Sequence, residues 1–305
     1  MLEIKDCTFS YPSKHSNRLA LDRINLSVES GEFFGLLGEN GAGKTTLIQL
    51  ITSIHTLQVG DILVEGCSLK HDALSAKAQM GWVPQEFNFN GFQTLEYMLL
   101  NNAGYFGISR RQARKRMTFL LESLGLLDRK DMKIHQLSGG LKRRLMIVRA
   151  LMHAPRLILL DEPTVGIDVT MREETWRFLE YLNESEGVTV VLTSHYLEEI
   201  ERLCQTVGIL NQGTLIQSGP LSDLFKDLVR ELIHIQLNQP LPEGLVIAGQ
   251  SGYDENDHIL TIMTDPQRRI DQVVLELSTH SIGVTRIWSE TTRLAHLMKQ
   301  WMKSS

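Results

Sequence analysis

"EFFGLLGENGAGKTTLIQLI", residues 32–51, is the stretch on which the fold turns. A short apolar run, Phe33 to Leu37, halts at Gly38. Such a run, bounded by glycine, predicts a strand buried on both faces, as in a parallel sheet. Beyond Lys44, the residues Leu47, Leu50, Ile51 and Ile54 recur at helical spacing and predict one apolar helix face. Between strand and helix, Gly38 to Thr45 fits G-x-x-x-x-G-K-[ST]. The glycines let backbone N–H groups turn inward around phosphate oxygens. Lys44 brings a charge to the β- and γ-phosphates, and Thr45 offers a hydroxyl to Mg2+. A helix N-terminus adds its dipole to the same anion. The candidate nucleotide ligands are Gly38, Glu39, Asn40, Gly41, Ala42, Gly43, Lys44, Thr45 and Thr46.

Outward from this turn the chain reads as α/β. "LEIKDCTFSY" and "LALDRINLSVESG" alternate like antiparallel strands. "RLILLDEP" and "GVTVVLTSH" are apolar strands separated by the helical "REETWRFLEYLNES", and 110–125 reads as an amphipathic helix with a basic start. "VGILNQGTLIQSG" predicts a hairpin turning at Asn-Gln-Gly. The pattern restarts near residue 230. "HIQLNQ" and "HILTIMT" read as strands joined by a loop at "NQPLPEG". A helix with Ile270, Val273, Val274 and Leu277 on one face follows, then the strand "VTRIW" and a last helix with Leu294, Leu297, Met298 and Trp301 aligned. We therefore expect one large domain over 1–230 and a small α/β appendage over 231–305.

Composition bounds the function. The 305 residues are 42% hydrophobic, enough for two cores, and carry a net charge of -5, without the basic bias of a nucleic-acid binder. Three widely spaced cysteines suggest a reducing compartment and neither a disulfide framework nor a zinc site. No leader pattern opens the sequence, and no run approaches the eighteen or so apolar residues of a membrane span.

Three further stretches carry chemistry. "LILLDEP" ends a strand in Asp161 and Glu162. Ligands of open α/β sheets sit beyond strand carboxyl ends, so Asp161 is placed to hold Mg2+ and Glu162, pointing the other way along the strand, to activate water. His195 closes the strand "VTVVLTSH" and can donate to a γ-phosphate; Gln85 can reach Mg2+ or the water. "QLSGGLKRRLMIVRAL", from Gln136, is a second anion cradle, with Ser138, Gly139 and Gly140 opening a helix ahead of Lys142, Arg143 and Arg144. An N-capped helix explains it locally. A functional role for it follows if this edge meets the γ-phosphate held by another copy, with ATP sandwiched between two chains.

The order of these motifs resembles that of the ATP-binding subunits of ABC transporters, over roughly residues 1–225. The Walker A loop is at 38–46, the glutamine loop at Gln85, the signature "LSGG" at 137–140, Walker B at 157–162, and the switch histidine at His195. The resemblance implies that Asp168 contacts a partner subunit, that Tyr11 stacks on adenine, and that the cofactors are ATP and Mg2+. Leu141 departs from the commoner glutamine; with "VPQEFNFNGFQT" it looks like the drug- and antibiotic-export branch, YadG-like. That branch implies an ABC-2 type permease on a separate polypeptide, an ATP-bound homodimer, no nucleic-acid partner, and a place on the cytoplasmic face of the inner membrane. Phe87, Phe89 and Phe92 are then candidates for a groove receiving a permease helix. Competing readings are a soluble ABC ATPase on ribosomes or DNA, which usually has two cassettes or a coiled-coil insertion, and a regulatory module without turnover. A guanine-nucleotide protein or P-loop kinase has no need of "LSGG".

Overall fold

The computed structural model describes residues 1–12, 19–194, 196–226, 231–242, 245–247, 249–264 and 270–289. Two compact units emerge, Met1–Leu221 and Ser222–Ser305.

The first unit opens with two strands, β1 (Leu2–Phe9) and β2 (Leu21–Val28), paired antiparallel with Leu2 opposite Val28 and Ile4 opposite Leu26. Their alternate side chains are buried, as the period of two requires. Next come β3 (Phe33–Leu37), α1 (Lys44–Ile51), β4 (Val59–Val64), β5 (Cys67–Ser68), α2 (Ala73–Ala78) and β6 (Met80–Val83). A helical layer follows: α3 (Leu95–Tyr105), α4 (Arg110–Ser123) and α5 (Gly139–Leu151). The chain then returns to the sheet through β7 (Leu157–Asp161), α6 (Val169–Glu186), β8 (Thr189–Thr193), α7 (Leu197–Leu203), β9 (Thr206–Asn211) and β10 (Thr214–Pro220). A short helix, α8 (Leu221–Lys226), begins at the last residue of this unit and continues into the second.

Two sheets result, ordered β2-β1-β4-β5 and β10-β9-β3-β8-β7-β6. β3 lies inside the larger one, parallel to both β8 and β9, and is buried at every position, as its apolar run predicts. β3, β8 and β7 are neighbours and parallel, so their carboxyl ends share one edge. That edge is where an open α/β sheet binds its ligand. At the other side of β3 the β9–β10 hairpin turns through Gln212 and Gly213, both with positive φ, the geometry of a two-residue turn.

Helix α1 buries Leu47, Leu50 and Ile51, but the predicted face stops there. Thr52 ends the helix, Ser53 takes a left-handed φ of 54°, and Ile54 lies beyond it, 48% exposed.

The second unit holds β11 (Glu231–Leu237), β12 (Gln250–Asp254), β13 (Ile259–Thr264), α9 (Ile270–Thr279) and β14 (Val284–Ser289). Its antiparallel sheet runs β12-β13-β11-β14 over a core of Ile235, Leu260, Ile262, Val273, Leu277 and Ile282. Strand β12 was not expected. Its sequence, Gln-Ser-Gly-Tyr-Asp, has no apolar alternation because it sits at a sheet edge. The predicted final helix through Leu294 and Trp301 lies outside the described residues.

Candidate functional site

A cleft of about 670 Å³ opens at the shared strand edge. It is lined by Tyr11, Asn40, Gly41, Gly43, Lys44, Thr45, Thr46, Gln85 and Glu162, and by Leu19, Ala20, Gln212 and Gly213. Residues as distant in sequence as Tyr11 and Gly213 thus meet because β3 ends where β7 and the β9–β10 turn also end.

The loop after β3 is built to keep side chains out. A Cβ on Gly38 would sit 2.4 Å from the Leu210 carbonyl oxygen, and one on Gly43, at φ 109°, would sit 2.8 Å from Leu21 Cδ2. The turn at Gly213 braces this loop, its N–H donating to the Ala42 carbonyl at 3.0 Å. Inside, the buried Lys44 ammonium donates to the carbonyls of Gly38 at 2.6 Å and Glu39 at 3.0 Å. Burial pulls the Lys44 ammonium below its ordinary value, opposed by the charges of Glu162 and Asp161. A side-chain-free cradle around a buried cation fits a phosphate chain. Tyr11 stands at the rim, its hydroxyl 3.0 Å from Thr46 Oγ1 and its ring edge-on to Phe9 and His55.

At the end of β7, Asp161 is buried and accepts a hydrogen bond from Thr193 Oγ1 at 2.7 Å. Glu162 is not simply the next residue of a strand. It has a left-handed φ of 52°, and its N–H is held by the Thr193 carbonyl at 3.1 Å and Thr193 Oγ1 at 3.2 Å. Positive φ in a non-glycine is strained and clusters at functional sites. Gln85 Nε2 donates to Glu162 Oε2 at 2.8 Å, so the loop after β6 reaches the carboxylate directly.

Behind these carboxylates lies a residue the sequence reading passed over. Glu199 on α7 is fully buried and accepts from Trp176 Nε1 at 2.7 Å, Thr164 Oγ1 at 3.1 Å and Ser194 Oγ at 2.5 Å. Burial raises its carboxyl above the usual range, while the Ser194, Trp176 and Thr164 donors hold it down. Thr164 follows Glu162 by two positions and Ser194 immediately precedes His195. His195 itself lies outside the described residues. The signal for Glu199 was in "LEEIERL": Glu199 shares its helix face with Ile200 and Leu203, both buried.

Ser138, Gly139, Gly140 and Asp168 do not line the cleft. Ser138 caps α5 and Asp168 caps α6, accepting from Met171 N–H at 2.9 Å. Ser138, Gly139 and Asp168 are exposed. Gly140 is buried beside α6; a Cβ there would lie 2.8 Å from Met171 Sδ. Two of the three cationic residues expected to face an anion, Arg143 and Arg144, turn inward instead, while Lys142 is half-buried. Arg143 donates to the carbonyls of Pro84 and Gln85, and Arg144 to those of Leu124 and Met171 and to the Glu174 carboxylate. α5 is buried nearly all round from Arg143 to Val148, so its arginines fasten neighbouring backbone. None of Phe87, Phe89 and Phe92 is core: Phe87 and Phe92 are exposed and Phe89 half-buried, with Phe87 and Phe89 stacked 5.9 Å apart.

Comparison with known proteins agrees with this geometry. Residues 21–165 match the ABC transporter family. The linearmycin resistance ATP-binding protein LnrL of Bacillus subtilis (strain 168) is 37% identical over 90% of this chain and 90% of its own. The methionine import ATP-binding protein MetN of Staphylococcus saprophyticus is 30% identical over 93% of this chain and 85% of its own. The Nod factor export ATP-binding protein I of Burkholderia thailandensis is 39% identical over 68% and 67%. Among solved structures, an ATP-binding subunit of an ABC transporter aligns with TM-score 0.68 and 28% identity over 74% of this chain and 92% of that one. A dimeric ATP-binding cassette in a post-hydrolysis state, bound to ADP and phosphate, aligns with TM-score 0.67 and 27% identity over 72% and 99%. The phosphate cradle, the paired carboxylates and a relative matched along nine-tenths of the chain lead to one conclusion: this chain belongs to the ABC transporter family, as an ATPase subunit that binds ATP with Mg2+.

Proposed function

We propose that this chain powers export through an ABC-2 type permease on a separate polypeptide, as a homodimer with ATP at its interface, peripheral on the cytoplasmic face of the membrane. The observation that carries the dimer reading is a separation. The exposed donors at the start of α5, Ser138 and Gly139, lie outside the cleft that holds Lys44. One copy's donors therefore complete another copy's site, with Asp168 at the same edge. Lys44 and the Gly38–Thr46 backbone hold the phosphates. Thr45, Asp161 and Gln85 take Mg2+, which screens phosphate charge during transfer. Glu162, aligned by Gln85, accepts the proton of the attacking water, His195 donates to the γ-phosphate, and Tyr11 receives adenine.

Export is favoured over import by the more similar relatives, two of whose names specify resistance or export, against the 30% identical import subunit. Docking of the permease is assigned to the exposed aromatics Phe87 and Phe92 in the segment that follows Gln85. Among the described residues no helix is long and apolar enough to cross a membrane, which suits a partner polypeptide that does. We assign 1–230 to the ATPase domain and 231–305 to an accessory domain. The test is Glu162→Gln: ATP affinity is retained and turnover falls by about 10²–10⁴-fold, the range of a lost general base. Turnover near wild type removes Glu162 from its role.

A further inference from the structure

The loop after β6 is strapped along α5 by two arginines. Arg143, 5% exposed, gives Nη1 to the Pro84 carbonyl at 2.9 Å and Nη2 to the Gln85 carbonyl at 2.8 Å, and its guanidinium lies 5.1 Å from the Phe87 ring centroid. Farther along the helix, Arg149 gives Nη1 to the Asn88 carbonyl at 3.3 Å and Nη2 to Asn88 Oδ1 at 2.5 Å, 5.8 Å from the Phe89 centroid. The backbone from Pro84 to Asn88 therefore follows α5 rather than the sheet it leaves. The next link is Gln85 Nε2 to Glu162 Oε2 at 2.8 Å. A continuous path results: the exposed start of α5, the Arg143 fork, the Gln85 backbone, the Gln85 amide, and the carboxylate of the chain's own cleft. A planar fork can bridge two carbonyls at once, which the point charge of lysine cannot.

We propose that Arg143 is a positioning residue that makes the two ATP sites of the dimer interdependent: engagement of the α5 start by the partner's nucleotide moves Gln85, and Glu162 with it, in the chain's own site. The inference rests on the reading that Ser138 and Gly139 meet the partner's ATP.

The experiment is steady-state ATPase against ATP concentration for the full chain, wild type, Arg143→Gln and Arg143→Lys, with thermal unfolding of each. Wild type is expected to show a Hill coefficient clearly above one, with two sites setting the limit of about two. Both variants are expected to fall to about one with a lower kcat, while binding of a fluorescent ATP analogue to the monomer is unchanged. A purely structural role lowers kcat with the unfolded fraction and leaves the Hill coefficient alone; that result overturns the proposal. Gln85→Ala, at an exposed position where folding is not at stake, breaks the following link and is expected to lose the same cooperativity; retention there also overturns it. Failure of the dimer reading is separable, because Glu162→Gln then stays monomeric with ATP and wild type itself has a Hill coefficient of one.

Discussion

Glu199→Ala tests whether the buried carboxylate behind the site holds it together. The substitution leaves three donors facing a small void: Trp176 Nε1, Thr164 Oγ1 and Ser194 Oγ. The two hydroxyls can turn toward other acceptors, but the indole N–H cannot. A stranded buried donor costs about 1–3 kcal/mol, and the void adds to it, for a total of about 2–4 kcal/mol. At about 2–4 °C per kcal/mol for a unit of this size, the midpoint falls by roughly 4–16 °C. The assay is thermal unfolding by circular dichroism, paired with ATP turnover. Because Thr164 and Ser194 flank Glu162 and His195 in sequence, kcat drops in the folded variant while ATP affinity holds. Glu199→Gln supplies the sign. Burial raises the native carboxyl, so its stabilising contribution is complete below the unfolded value near 4.5 and fades as pH rises through the native value. The Gln variant, without that titration, gains on wild type as pH climbs through that window and keeps a constant difference above it. An unchanged midpoint in Glu199→Ala, or a Gln–wild-type difference flat with pH, refutes the reasoning.

Lys44→Ala removes the buried cation of the phosphate loop. The loss of charge-assisted hydrogen bonds, about 1.5–3 kcal/mol, weakens ATP binding by roughly 10–100-fold in a fluorescent-nucleotide titration; undiminished affinity contradicts the cradle. Phe92→Asp, at a ring 78% exposed and away from the cleft, abolishes co-purification with the permease and leaves turnover of the isolated chain at the wild-type level. Continued co-purification moves the docking surface elsewhere.

The loop proposed to hold phosphate was legible in the sequence because its chemistry dictates spacing. Gly38, Gly43 and Lys44 must fall where a strand turns into a helix, and the apolar run Phe33–Leu37 could only be an inner strand. What was hidden depends on tertiary direction. Arg143 and Arg144 read as an exposed anion patch because arginine is usually solvated, yet both sit on a helix face that is buried from Arg143 to Val148 and fasten loop backbone. Glu162 seemed to follow strand alternation, but its left-handed φ is imposed by Thr193 on the neighbouring strand, 31 positions away. The bracing of the phosphate loop by Gly213 was invisible for the same reason: it depends on where the hairpin comes to rest. Strand β12 escaped because an edge strand with Ser, Gly and Asp carries no periodic signal.

The central claim is that one chain's cleft is completed by another chain's α5. A crystal structure of Glu162→Gln grown with ATP and Mg2+ measures this directly. The account predicts two copies head to tail, with the Ser138 hydroxyl and Gly139 N–H of each within hydrogen-bond distance of the γ-phosphate lying on the other's Lys44. Nucleotide fully engaged on Lys44 while those donors face solvent contradicts it.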